Sequence, residues 1–174
     1  MPKLFACDVT VLIGKRIALW NPTHKRFIRM PRDGTSLDKS AKTRPDGTIP
    51  LSWTLEVFKV VDGGDGLVGL WNPTNKRFIR ITDTDLDKSD PREDGTLPSS
   101  LTWERFKIVY TDDGKIGLWN PTHKRFVRMP NDGTNLDRSE ESPDGALPSH
   151  MLWESFEFME VPPKPGTRKQ ERVG

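Results

Sequence analysis

The chain has 174 residues, 33% of them hydrophobic and 30% charged, a balance that gives one domain of ordinary size a lean core. Lys and Arg total 27 against 25 Asp and Glu, a net charge of +2, so no excess of either sign calls for nucleic acid or an anionic membrane as partner. The single cysteine, Cys7, has no internal disulfide partner; it reads as a small buried filler, and the lack of a disulfide framework fits a reducing compartment and a cytoplasmic location.

The opening "MPKLFACDVTVLIGKRIALW" holds one apolar stretch, Val9 to Ile13. It is too short to span a membrane and lacks the charged start, long apolar centre and small-residue cleavage site of a secretory signal. Membrane insertion is not expected, and the stretch reads as a first strand that leads into the repeated part of the chain.

From Ile17 onward the chain repeats itself. "LWNPTHKRF" at Leu19 returns as "LWNPTNKRF" at Leu70 and "LWNPTHKRF" at Leu118. "SLDKS" at Ser36 returns as "DLDKS" at Asp85 and "NLDRS" at Asn135. "PDGTIP" from Pro45, "EDGTLP" from Glu93 and "PDGALP" from Pro143 form a third series; "EVFKVV" from Glu56, "ERFKIV" from Glu104 and "ESFEFM" from Glu154 form a fourth. The order is kept each time, so the chain divides into repeats of about 50 residues, 14–62, 63–111 and 112–161.

Within a repeat the apolar residues alternate as in strands. Ile17/Leu19, Val68/Leu70 and Ile116/Leu118 point inward, and Ala18 and Trp20 point the other way. "NPT" followed by His or Asn is turn chemistry, because proline fixes φ and lacks an N–H. "RFIRM" then returns as the second arm of a hairpin, with Ile28/Met30, Ile79/Ile81 and Val127/Met129 inward. A later strand puts Phe58/Val60, Phe106/Ile108 and Phe156/Phe158 inward. No segment carries a helical period. The Asp-Gly pairs at Asp33, Asp46, Asp94, Asp132 and Asp144 read as turns. The end, "VPPKPGTRKQERVG" from Val161, is a basic, proline-containing tail over 162–174 whose composition does not support a packed core.

Three units of short strands leave few architectures. A solenoid would expose its ends, and a propeller normally has at least about four blades. Closing three units around a pseudo-three-fold axis buries one face of every strand, which is an all-β, β-trefoil arrangement in a single domain, 1–161.

"KRFIRM", "GTSLDKS" and "WTLEVFKVV" together resemble the repeat of fascin-like, actin-crosslinking β-trefoil proteins. "WERF" at Trp103 and "WESF" at Trp153 match the motif that opens that family's last strand, whereas repeat one has Trp53 three residues before Glu56 and Leu55 in the tryptophan's place. "RFIRMPRDGT" also resembles a strand and turn of fibroblast growth factors. The fascin-like resemblance implies a protein partner, a filament or a larger assembly. A fold of this kind hosts many functions and does not choose among them.

Two readings of the nine-residue motif stand side by side. Asn21, Asn72 and Asn120 hold their turns through side-chain hydrogen bonds while Trp20, Trp71 and Trp119 cover neighbouring strands. Alternatively each tryptophan is an outward contact platform, flanked by His24, Asn75 or His123 and anchored by Arg26, Arg77 or Arg125. Asp38, Asp87 and Asp137 are secondary candidates, as acceptors for sugar hydroxyls or as turn caps. "DTDLDKSD" from Asp83 is rich in carboxylates but lacks the glycine and terminal glutamate of a calcium loop, so no metal is expected. No nucleophile elbow, phosphate loop or zinc-binding helix motif is present; His24 and His123 lie in matching turns apart from each other, and His150 has no neighbour of its kind. No catalytic residue and no cofactor are expected. Three basic tips and the tail give a minor argument for nucleic acid, which the interspersed carboxylates oppose. The expectation is a non-enzymatic, multivalent binding module for a protein partner, with a carbohydrate ligand as the alternative.

Overall fold

The computed structural model describes residues 9–41 and 48–162. Twelve strands run in order: β1 (Arg16–Asn21), β2 (Arg26–Arg29), β3 (Asp38–Lys39), β4 (Phe58–Gly64), β5 (Leu67–Asn72), β6 (Arg77–Ile81), β7 (Leu86–Lys88), β8 (Lys107–Tyr110), β9 (Ile116–Asn120), β10 (Arg125–Arg128), β11 (Asp137–Arg138) and β12 (Glu157–Glu160). Among the described residues there is no α-helix, only two short 3-10 turns, Val9–Val11 and Leu152–Glu154.

The first and last strands of each repeat close into a barrel. β1 pairs with β4 and β12, β4 with β5, and β8 with β9, all antiparallel. Single bridges, Val68 to Phe106 and Ile116 to Phe156, join β5 to β8 and β9 to β12 and complete the circuit. The middle strands, β2 with β3, β6 with β7 and β10 with β11, form three hairpins. This is the β-trefoil expected from the repeats.

The predicted inward residues meet in one cluster: Ile17, Leu19, Val68, Leu70, Ile116 and Leu118 join Phe58, Phe106 and Phe156 at its centre. Leu37, Leu86 and Leu136, from the "LDKS" series, are buried in the same cluster. The stretch from Val9 is not the expected strand. It turns as a 3-10 coil that sets Leu12, 1% exposed, into the core. Gly14, at φ 88°, then donates its N–H to Val60, and that left-handed step ends the coil where a side chain would be strained.

The outer face of the strands is also covered. Ala18, Trp20 and Phe27 pack with Ile49 and Val57 in a second cluster. In the next repeat, a methyl added at Gly69 would lie 2.7 Å from Leu97 and 3.0 Å from Phe78; at Gly117 it would lie 2.5 Å from Leu147. The small residue of each first strand therefore makes room for Ile49, Leu97 or Leu147, which lie over the outer face of the sheet. Gly95 and Gly145, at φ 69° and 70°, lie against Trp71 and Trp119, where an added Cβ would come within 2.9 Å and 3.1 Å of the indole.

The repeats are fastened by asparagine. Asn72, 0% exposed, donates Nδ2 to the carbonyls of Thr54, Leu55 and Val57 in repeat one, at 3.4, 3.2 and 3.0 Å. Its Oδ1 accepts the Asn75 N–H at 2.7 Å. Asn120 does the same to Thr102, Trp103 and Arg105 of repeat two. Asn21 reaches Leu152 and Ser155 of repeat three, which closes the ring. A buried carboxamide is tolerated only when its donors and acceptor are matched, and here they are.

Replacing Asn72 with alanine would strand buried carbonyls and release the turn. We expect a loss of about 2–4 kcal/mol in urea unfolding; a loss under about 0.5 kcal/mol would show that the seam does not depend on this side chain.

Candidate functional site

Most of the motif residues are engaged inside the protein. Trp20 and Trp71 are 5% and 8% exposed, and Trp119 is partly buried. Trp71 Nε1 donates to the Arg92 carbonyl at 2.9 Å and Trp119 Nε1 to Ser142 at 3.0 Å. The alternation places these rings on the outer face as expected, but Ile49 and Val57 pack with Trp20 and the Gly95 and Gly145 turns lie against Trp71 and Trp119, so they are not exposed platforms. The asparagines are sealed in the seams. Arg26, Arg77 and Arg125 each direct Nη1 at a carbonyl, of Ser40, Ser89 and Ser139, at 2.8, 2.7 and 2.8 Å.

The aspartates are paired as well. Asp38 accepts Nε and Nη2 of Arg29 at 2.9 and 3.0 Å. Asp87 accepts the same pair from Arg80 at 2.9 and 3.0 Å, and Asp137 from Arg128 at 2.8 and 2.8 Å. Both oxygens of each carboxylate face a guanidinium, a geometry that fixes the arginine rather than capping a turn.

The turn positions His24, Asn75 and His123 look across the seams. Asn75 Nδ2 donates to the Met30 carbonyl at 2.8 Å. The imidazoles of His24 and His123 lie against the corresponding carbonyls, Met129 and Ile81, with Nε2 buried and lacking a well-formed hydrogen bond in both. Burial is the main force holding both pKa values below the ordinary histidine value. A carboxamide and an imidazole can both offer an N–H to that carbonyl, which explains why repeat two can carry asparagine.

What remains open lies elsewhere. Trp153 is 36% exposed; one side of it faces His24, ring centroids 5.9 Å apart, and the Arg128 guanidinium lies 5.8 Å from its centroid. Trp103 is partly exposed, with His123 at 5.1 Å. Trp103 lines a cleft of about 160 Å³ with Arg80, Thr102 and Glu104; a cleft of about 310 Å³ in repeat three is lined by Arg128, Glu140, Met151 and Glu154, and the Trp153 ring adjoins it through Arg128. Glu56, Glu104 and Glu154 are 5%, 3% and 7% exposed, and burial raises the pKa of all three, opposed by Arg29, Arg80 and Arg128. Each of these arginines therefore has an aspartate in its grip and a buried glutamate nearby.

Repeat one breaks the set. The N–H of Met30 is received by Leu55, as those of Ile81 and Met129 are by Trp103 and Trp153. Leu55 thus fills the indole's place, while Trp53 packs on the outer cluster with Ile49 and Val57. A small apolar groove lies there, lined by Ile49, Pro50, Leu51, Trp53, Val161 and Pro162. The departure of "WTLEVF" from "WERF" and "WESF" was the sequence signal for this difference, but the motif alone did not mark Trp103 and Trp153 as accessible.

Among the described residues no group of three His, Cys, Asp or Glu side chains could hold a metal ion, and no helix is long and apolar enough to cross a membrane. Cys7, Asp46 and the tail from 163 onward lie outside the described residues.

No family model and no curated protein matches the sequence. Solved structures share the fold at low identity. A GlcNAcα1-4Gal-releasing endo-β-galactosidase from Clostridium perfringens aligns at TM-score 0.64 and 12% identity, over 85% of this chain and 33% of that one; this chain spans about a third of the galactosidase. A protein described as the BEL β-trefoil aligns at TM-score 0.63 and 12% identity, over 86% and 94% of the two chains. The designed three-fold symmetric protein ThreeFoil aligns at 0.60 and 11%, over 84% and 99%. These likenesses establish the β-trefoil and do not extend to the fascin-like family.

The raised glutamates give a pH signature. A carboxyl whose folded pKa exceeds its unfolded value, about 4.3 for glutamate, contributes stability below that value and loses it as pH rises through the folded one. Replacing Glu104 with glutamine removes the penalty carried at neutral pH. The stability of the variant minus that of the parent should therefore rise between about pH 4 and pH 7 in denaturant titrations; a flat or falling difference would contradict the burial argument.

Proposed function

We propose that this protein is a non-enzymatic, multivalent binding module whose ligand is a glycan, taken in the clefts beside Trp103 and Trp153. The observation that carries this reading is the pair of clefts in repeats two and three, each with an arginine and a buried glutamate on its wall, the first lined by the Trp103 indole and the second by Arg128, whose guanidinium lies 5.8 Å from the exposed Trp153 ring. An indole face suits the C–H face of a sugar ring, and fixed polar groups alongside suit its hydroxyls. Arg80 and Arg128 are held rigid by their aspartates, so little side-chain freedom is lost on binding. Two weak sites on one rigid body gain avidity on a branched or repeating target. The likeness to a protein named for action on a glycan agrees with this reading at the level of fold.

A second reading keeps a protein partner, as the fascin-like resemblance implies. It is favoured by the apolar groove of repeat one, where Leu51 is 55% exposed beside Trp53 and Pro162. Accessible aromatic and aliphatic side chains of this kind anchor protein interfaces. Neither reading calls for a cofactor, a metal or nucleic acid.

A glycan array separates the two. The parent protein should bind neutral glycans, and the Trp103→Ala/Trp153→Ala variant, checked for native circular dichroism, should lose at least about tenfold in affinity. Silence of the parent across the array, together with pelleting on filamentous actin that Leu51→Ser abolishes, would overturn the glycan reading in favour of the protein partner.

A further inference from the structure

The seam between repeats three and one holds a different opening, a cleft of about 410 Å³ lined by Thr23, His24, Arg26, Lys39, Asn131, Gly133 and Thr134. Its wall carries two cations and a histidine from repeat one, and the wall opposite is an exposed loop of repeat three. Arg26 directs one nitrogen at the Ser40 carbonyl, and Lys39 donates to the Pro130 carbonyl. Both keep further N–H donors, since a guanidinium has five and an ammonium three. The carboxylates that act on Lys39 are Asp132 and Asp137, and the second of these is already clasped by Arg128.

The other two seams show what this arrangement is missing. At the seam between repeats two and three, His123, Arg125 and Arg138 occupy the corresponding positions. The facing loop is "TDTD", 82–85, four residues where the other repeats have six, 31–36 and 130–135. Thr82 closes it tightly, its N–H bonding the Asp85 carbonyl at 2.8 Å. The shorter loop places the Asp83 carboxylate 3.7 Å from His123 Nδ1, and Asp83 and Asp85 both act on Arg138. That seam supplies an anion to its histidine, whereas at the seam of repeats three and one no carboxylate among the described residues acts on His24, and Asp132 of the exposed loop acts only on Lys39. At the seam between repeats one and two, Asn75 replaces the histidine, and Lys88, 6% exposed, donates to the carbonyls of both Pro31 and Asp33. That seam is closed by the chain itself. Among the described residues, only the seam between repeats three and one combines a histidine, two cations, an open cleft and, in Asn131, a neutral residue at the loop position that corresponds to Asp83.

We propose that the cleft between repeats three and one is an anion-binding site, which takes a carboxylate, sulfate or phosphate group where repeat two places the carboxylate of Asp83. Its volume admits a group the size of one sugar unit, so an acidic or sulfated sugar suits it as well as a free oxyanion. The site shares no lining residue with the clefts of repeats two and three, although its His24 lies against one side of the Trp153 ring, and it does not rest on the function proposed above. Arg26 and Lys39 supply fixed positive charge, and His24 adds a third donor when protonated.

The test is an amide-resolved NMR titration of the full chain with sodium glucuronate, glucose 6-sulfate and inorganic sulfate, against glucose as the neutral control. Saturable shifts confined to Thr23, His24, Lys39, Gly133 and Thr134, absent with glucose, are expected. Tighter binding of glucose 6-sulfate than of sulfate would assign the rest of the cleft to the sugar; equal binding would assign the site to the oxyanion itself, and both support it. Asn131→Asp, a change in an exposed loop, should weaken binding at least about tenfold by installing the internal carboxylate. Asp83→Asn should do the reverse and raise the stoichiometry from one site to two. Shifts that grow linearly over the whole surface, or an Asn131→Asp variant that binds as the parent does, would overturn the proposal. Neutral-glycan binding at the tryptophan clefts that survives such a failure would leave the function proposed above untouched.

Discussion

A buried carboxamide joins each repeat to the one before it, and the rest of the molecule depends on that joint. Asn21, Asn72 and Asn120 each hold backbone carbonyls of the preceding repeat with Nδ2 and their own turn with Oδ1. Three units of short strands cannot each bury a core alone. Closing them in a ring gives every apolar face a partner, and the asparagine fixes the relative position of the units at which this occurs. Asparagine suits the task because its two donors and one acceptor reach in opposite directions from a short stem.

The same joint determines where ligands can go. With the carboxamides sealed and the indoles of Trp20 and Trp71 roofed, the nine-residue motif is almost wholly structural. Polar openings remain within repeat two beside Trp103, within repeat three along Arg128, and at the seam of repeats three and one. The three units differ at these surfaces through a leucine in place of an indole, an asparagine in place of a histidine and a loop shortened by two residues.

The repeat register and strand alternation made the barrel legible in the sequence, because a period of two names the inward residues directly. Alternation tells which way Trp20 points, but not what covers it. The cover comes from Ile49, Leu97 and Leu147, in loops whose turn chemistry was plain but whose apolar residue had no assigned home. The turn role of Asn72 was visible from the proline after it; its reach to Thr54 and Leu55 joins residues that only the closed ring brings together. The Arg29–Asp38 pair was hidden because an arginine and an aspartate on facing arms declare themselves only once the hairpin register is known. Val9 to Ile13 misled because a short apolar run has the same composition as a strand or as a plug.

Hydrogen exchange at the indole nitrogens, followed by NMR, tests the division between structural and accessible tryptophans most directly. The account predicts that the Nε1 protons of Trp71 and Trp119 exchange only through opening with the free energy of global unfolding, while that of Trp153 exchanges at nearly the rate of free indole. Equal, rapid exchange at all three would show that the loops do not hold the indoles down, and would return the motif tryptophans to the surface as contact residues.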